Sequence, residues 1–313
     1  MSSQRATAFV PGHVTAFFSA HPADDPAVAG SRGAGVTLTD GVTVRVSAPE
    51  GAVDAPEGAV DAPEGTVDAP GSAGDAGETT IDGEAGSIGA VDDVLAELDA
   101  LGADVAVETD LPIGAGFGVS GAAALGAALA ANEAFDRGCS ENDLVRIAHA
   151  AEVGRGTGLG DVVAQARGGV PVRLEPGAPG VGELDGVPAT ARVEYVAFGE
   201  LSTEEVLGGD TTALSAAGAE ALDRLRADPR LPTLMNAARA FARDADLLVS
   251  EVETAIEAVE SADDEGTEGG DDPGAAMAML GRTVFALGTG LSDAGYDPEV
   301  CRIDAAGARL VDR

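Results

Sequence analysis

Lysine is missing from this 313-residue chain; all 18 basic side chains are arginine. That absence excludes a Walker A phosphate loop, which sets a lysine against the β- and γ-phosphates. The arginines face 54 Asp and Glu, a net charge of −36, and leave no basic patch to neutralise a nucleic-acid backbone. Tryptophan is missing too, and aromatics make up 3% of the residues, so Ala, Val, Leu and Ile must build the core. Two cysteines, Cys139 and Cys301, form no C-x-x-C pair or Cys/His cluster. A cysteine zinc site is therefore not expected, and two reduced, partly buried thiols are. No apolar run reaches the ~18 residues of a membrane span, and "MSSQRATAFVPGHVTAFF" holds no signal-peptide core. A soluble, cytoplasmic protein is expected, with no membrane or nucleic-acid partner.

What is present in excess is acid, and it is spread along the chain, as in "DDVLAELDA" and "SEVETAIEAVES". An even acidic coat without lysine is the composition expected of a halophile's cytoplasm. In molar salt the Debye length shrinks to roughly 3 Å and self-repulsion costs little. This concerns environment, not activity.

Residues 48–88 contain "GAVDAPEGAVDAPEGTVDAP", a seven-residue unit whose proline and glycine forbid a continuous helix. The span is expected to be a disordered acidic insertion, and 261–274 a second acidic loop. Elsewhere strands and helices mix without regular alternation. "RATAFV" predicts a short strand, and "GVTLTDGVTVRVS" a hairpin turned at Asp40-Gly41. "VDDVLAELDALG" predicts a helix ending at Gly102. "SENDLVRIAHAAEVG" predicts one capped by Ser140 and Asp143. One long helix is expected after Pro229 through "VETAIEAVES", another over "GAAMAMLGRTVFALGTGLSDAG", and two short strands around Ala306-Gly307. The pattern predicts α+β in two lobes, 1–180 and 181–313.

Chemistry concentrates in "DLPIGAGFGVSGAAALG", residues 110–126, where a strand enters a glycine loop and then an alanine-rich helix. Gly116, Gly118 and Gly121 satisfy G-x-G-x-x-G, but no second strand with an acidic end follows, as a dinucleotide site requires. Gly118-Val119-Ser120-Gly121 approaches a nucleophile elbow. The three histidines, His13, His21 and His149, do not lie in the late loop such a fold uses. A third reading is an anion cradle of backbone N–H groups at a helix N-terminus, with Ser120 on a metal ion. A tight turn whose glycines only permit close packing is the fourth. Downstream, "AEVGRGTGLGDVVAQARGG" places Glu152, a glycine turn and Asp161 in succession. Phosphoryl transfer needs such parts: oxygen ligands for Mg²⁺, here Ser120 and Glu152, and a carboxylate, Asp161, on the attacking hydroxyl. In so acidic a chain the same residues also read as surface acids.

Three segments carry a family resemblance. Pro112-Ile-Gly114-Ala115-Gly116-Phe117-Gly118-Val119-Ser120 resembles motif 2 of the GHMP kinases, P-x-x-x-G-L-G-S-S-A, with Val119 and Gly121 departing from it. "GLGDVVAQARGG" is similar to the superfamily's later segment around a catalytic aspartate, at Asp161 here. "VPGHVTAFFSAH" is similar to motif 1, with His13 at the usual lysine. That histidine form resembles the archaeal pantoate kinase branch. A clear C-terminal third motif is missing; "FALGTGLSDAG" echoes it weakly.

The resemblance implies a ribosomal-protein-S5-like N-terminal lobe, a ferredoxin-like C-terminal lobe and ATP-dependent phosphorylation of a small alcohol, pantoate's 4-hydroxyl in this branch. Other GHMP alcohols, and a non-catalytic nucleotide binder, remain the alternatives. It implies ATP over Pro112, Gly114, Ala115, Gly116, Phe117, Gly118, Val119 and Ser120. Mg²⁺ is implied on Ser120 and Glu152, and Asp161 as the base. His13, His21 and Arg155 are the expected substrate contacts, Arg155 because it lies between Glu152 and Asp161, with Arg167 a further candidate. The partner expected is a small-molecule substrate, and a homodimer is left open.

Overall fold

In a computed structural model the described residues are 4–49, 77–199, 211–266, 273–279 and 282–312. Two long strands frame the molecule. β1 (Arg5–His21) and β2 (Gly30–Ser47) pair antiparallel along nearly their whole length. This overturns both the short strand at 5–10 and the hairpin at Asp40-Gly41. Neither residue has the positive φ that a type I′ turn demands. Gly41 instead lies opposite Pro11 within the ladder, where the register shifts. Such an irregularity absorbs a proline that has no N–H to give. β1 escapes a period-2 reading because almost every residue from Ala6 to Ser19 is buried.

Of the 48–88 insertion, residues 50–76 lie outside the described residues. Its end is ordered: β3 (Thr79–Ile81) and β4 (Glu84–Ala85) form a small hairpin. α1 (Gly89–Glu97) leads to β5 (Asp104–Thr109), which pairs with β2 and, in parallel, with β3. The helix stops before Gly102, because Asp99 takes the left-handed conformation and Ala100 N–H closes on the Leu95 carbonyl at 2.7 Å.

α2 (Val119–Ala134) is buried on nearly all sides and packs on β1 and β2. Its small side chains permit that approach. A Cβ on Gly126 would come within 2.5 Å of a Val44 methyl. α3 (Glu141–Arg155) opens with the expected Ser140–Asp143 capping box. After α4 (Asp161–Arg167), β6 (Val170–Glu175) joins β2 and β7 (Glu183–Val187) joins β6. The first sheet runs β12-β1-β2-β5-β3-β4 with β6 and β7 branching from β2, and β12 (Arg309–Asp312) returns to β1 from the chain's far end.

The second sheet has the order β11-β8-β10-β9, formed by β8 (Arg192–Ala197), β9 (Ala275–Ala278), β10 (Thr283–Leu287) and β11 (Glu299–Arg302). The helix expected at 274–295 is therefore two strands and a short helix, α8 (Gly290–Asp293). Its apolar run is buried on every side, and periodicity cannot separate a buried strand from a buried helix. The long helix expected after Pro229 is two helices, α6 (Leu231–Asp244) and α7 (Ser250–Gly266), broken where Asp246 turns left-handed. α5 (Thr212–Ala227), which sequence reading missed, packs on β1 so closely that a Cβ on Gly218 would overlap the Phe18 carbonyl. Single bridges, Thr15 to Met279 and Leu38 to Ile303, join the two sheets. The architecture is α+β, as expected.

Candidate active site

Where β1, the start of α2, the end of α3 and the start of α4 converge, they enclose a cavity of about 270 Å³. One wall is the glycine loop. Gly114, Gly116 and Gly118 have φ of 80°, 90° and 66°, so left-handed glycines alternate with ordinary residues. Such alternation is the backbone pattern of a concave anion nest; the Ala115 N–H is engaged by the Pro112 carbonyl at 3.3 Å, while those of Gly114, Gly116 and Gly118 have no acceptor among the described residues. Gly118 is the N-cap of α2, whose first N–H groups extend the nest. No side chain fits there: a Cβ on Gly118 would come within 2.9 Å of the Gln165 amide and 3.2 Å of Asp161. Gly114, Gly116, Phe117, Gly118, Val119 and Ser120 all line the cavity, whereas Pro112 and Ala115 do not.

Ser120, on the first turn of α2, donates its hydroxyl to Glu152 Oε1 at 2.5 Å, and Thr157 donates to the same oxygen at 3.0 Å. Glu152 is buried, and that burial raises its carboxyl above the usual range, against the lowering effect of the two hydroxyls. A buried carboxylate with only hydroxyl partners favours a cation beside it. Ser120 and Glu152 supply hard oxygen donors, which suits a magnesium ion that completes its shell with waters and phosphates. No cluster of three or more His, Cys, Asp or Glu able to hold a metal by itself occurs among the described residues.

Asp161 opens α4 and keeps 26% of its side chain exposed, toward the cavity. Its Oδ1 accepts from His13 Nδ1 at 2.7 Å and from the Thr15 hydroxyl at 3.4 Å. Burial pushes its pKa up, but the His13 hydrogen bond, with His13 and Arg173 nearby, outweighs burial and holds the carboxyl below its ordinary value. Burial dominates at His13 and lowers its pKa despite Asp161. The pair is thus a neutral imidazole donating Nδ1–H to a carboxylate.

The geometry redistributes the expected substrate contacts. His13 is fully buried beneath Asp161 and does not line the cavity. His21 lies beyond the lining, its Nε2 2.9 Å from Ser19 Oγ. Arg155 is on the surface, forked onto Asp93 of α1 at 2.5 and 2.7 Å, because the last turn of α3 faces outward there. Arg167 is held on the Gly168 carbonyl outside the cavity. The buried cation that does line it is Arg173, on β6, which sequence reasoning missed. Its Nη1 donates to the Gly160 carbonyl at 3.2 Å, while its Nε has no partner among the described residues. The signal was weak in sequence: a lone arginine in an apolar strand, "GGVPVRLEP". His149, also buried, donates Nε2–H to the Ala29 carbonyl.

Residues 87–169 match the family described as the GHMP kinases N terminal domain. Over 286 residues the chain is 36% identical to a pantoate kinase from Thermococcus kodakarensis, covering 90% of this chain and 86% of that one. A pantoate kinase from Methanospirillum hungatei is 32% identical over 92% of this chain and 89% of its own. Among solved structures, a phosphotransferase related to the CoA biosynthesis pathway superposes with a TM-score of 0.78 at 30% identity, covering 98% of this chain and 99% of that one.

Proposed function

Because the chain belongs to the pantoate kinase family of the GHMP kinases, we propose that this cavity transfers the γ-phosphoryl group of ATP to the 4-hydroxyl of (R)-pantoate. The observation that carries the reading is the convergence of an N–H-lined nest, a Ser120–Glu152 oxygen pair and an ionised Asp161 on one cavity. The nest receives the phosphates, where backbone N–H groups do the work of the absent lysine. Ser120 and Glu152 would hold Mg²⁺, which when bound neutralises charge on the phosphates. Asp161 aligns the substrate hydroxyl. As the O–P bond forms and the bond from γ-phosphorus to the β-phosphate oxygen breaks, Asp161 takes the hydroxyl proton and ADP departs with the electron pair. A carboxylate held below its usual pKa suits a loose transition state, in which the proton leaves late and orientation matters most. His13 supports this step from behind, by positioning Asp161 rather than by touching substrate.

Arg173 is the group we assign to the substrate carboxylate. It is a buried guanidinium with an unpartnered Nε–H, and it flanks Asp161. The even acidic coat supports a working environment of high salt and, with it, the cytoplasm. The test is ADP release with ATP and Mg²⁺ in molar KCl on pantoate, its amide, mevalonate, homoserine and shikimate. Pantoate is expected to turn over, with its amide at least about tenfold poorer because Arg173 loses a charged partner. Turnover of another alcohol without pantoate would overturn the assignment.

A further inference from the structure

The glycine loop does not hold its shape alone, because three of its carbonyls are tied from three separate elements. Thr283 Oγ1, fully buried on β10 of the second sheet, donates to the Ala115 carbonyl at 2.9 Å. The His13 backbone N–H on β1 donates to the Phe117 carbonyl at 3.0 Å. Gln165 Nε2, fully buried on α4, donates at 2.9 Å to the Gly118 carbonyl, which also accepts the Ala122 N–H of α2 at 2.9 Å. The ring of Phe117 also rests 4.7 Å from that of Tyr195 on β8.

A peptide unit is planar and trans, so its N–H points opposite to its C=O. Turning the carbonyls of Ala115, Phe117 and Gly118 inward therefore turns the N–H groups of Gly116, Gly118 and Val119 the other way. None of those three N–H groups donates to a backbone or side-chain acceptor among the described residues, and all three residues line the cavity. A glycine loop free of these ties has many alternative peptide orientations, since glycine populates both signs of φ.

Resting on the reading that this loop receives ATP, we propose that Thr283 and Gln165 are positioning residues for the phosphates. They help fix the peptide planes of the nest from two separate elements, β10 and α4, and Thr283 makes nucleotide affinity depend on the second sheet. Neither side chain lines the cavity, so both act through the loop. Each is recognisable by a selective signature. Losing one tie leaves the pantoate side of the cavity intact but lets one N–H turn away from the phosphates.

The experiment compares wild type with Thr283→Val, Thr283→Ser and Gln165→Met. The dissociation constant of ATP is measured by calorimetry, and KM separately for ATP and for pantoate. Thr283→Val is expected to weaken ATP about tenfold, the worth of one hydrogen bond, and Gln165→Met about threefold because Ala122 N–H still holds the Gly118 carbonyl, with the KM for pantoate changed less than about twofold in both. Thr283→Ser, which keeps the hydroxyl, is expected to restore most of the loss. Unchanged ATP affinity in Thr283→Val and Gln165→Met, an equal rise of both KM values, or a serine variant as impaired as the valine would overturn the proposal. If wild type binds ATP but never phosphorylates pantoate, the assigned function fails, and the calorimetric comparison still decides the role of the two residues.

Discussion

At the scale of single residues, the His13–Asp161 pair controls how the reaction responds to pH. Asp161 is held below its ordinary pKa, so it stays ionised throughout the neutral range and well into the acid one. Glu152, raised by burial while no cation stands beside it, would be held ionised by a magnesium ion in the working enzyme. His13→Leu removes the donor that most lowers Asp161, and the Asp161 pKa then rises under the burial that remains. That variant is predicted to lose about tenfold or more in kcat and to show its acid limb displaced to higher pH. His13→Asn, which retains a short N–H donor, should lie between the two. A pH–rate profile checks this, and an unmoved acid limb in His13→Leu would argue that His13 does not support Asp161. Histidine serves here because its Nδ1 can reach Asp161 while the ring stays uncharged in a fully buried position.

At the scale of elements, packing distances decide more than propensity. α5 lies against β1 only because Gly218 has no side chain. Gly218→Val would drive the helix from the strand that carries His13 and Thr15. It is predicted to cost about 2–3 kcal/mol, measured by denaturant unfolding; a variant of wild-type stability would contradict the contact. The same dependence on tertiary context explains what could be read beforehand. The capping box of α3, the strand β5 and the helix α2 were legible, because Ser140, Asp143 and the shift from alternating to small apolar residues are local signals. The long ladder of β1 and β2 was not, since burial on both faces erased its alternation and Asp40-Gly41 imitated a turn. β9 and β10 were hidden for the same reason. In the site, the loop, Ser120, Glu152 and Asp161 carried their own spacing. Arg173 carried none, because β6 brings it to the cavity only once the sheet has formed. Arg155 misled because proximity in sequence to Glu152 and Asp161 says nothing about which way the last turn of a helix faces.

At the scale of the whole molecule, 54 acidic side chains against 18 arginines make self-repulsion the dominant long-range term. Several arginines are spent on local acidic partners, such as Arg224 on Glu220 and Arg230 on Asp228, and exposed pairs of this kind contribute little. Raising KCl from 0.1 to 2 M is therefore predicted to raise Tm by roughly 10 °C or more, as the Debye length falls from about 10 Å toward 3 Å. A Tm that is flat or falling with salt, followed by circular dichroism, would contradict that expectation. No helix among the described residues is long and apolar enough to cross a membrane. The central claim is that one cavity, with Asp161 on the acceptor hydroxyl, phosphorylates pantoate. Single-turnover formation of 4-phosphopantoate by wild type and by Asp161→Asn, each saturated with ATP, Mg²⁺ and pantoate, tests it most directly. The account predicts product from wild type and a rate about 10²–10⁴-fold lower in Asp161→Asn at unchanged ATP affinity; a near-wild-type rate in the variant would contradict it.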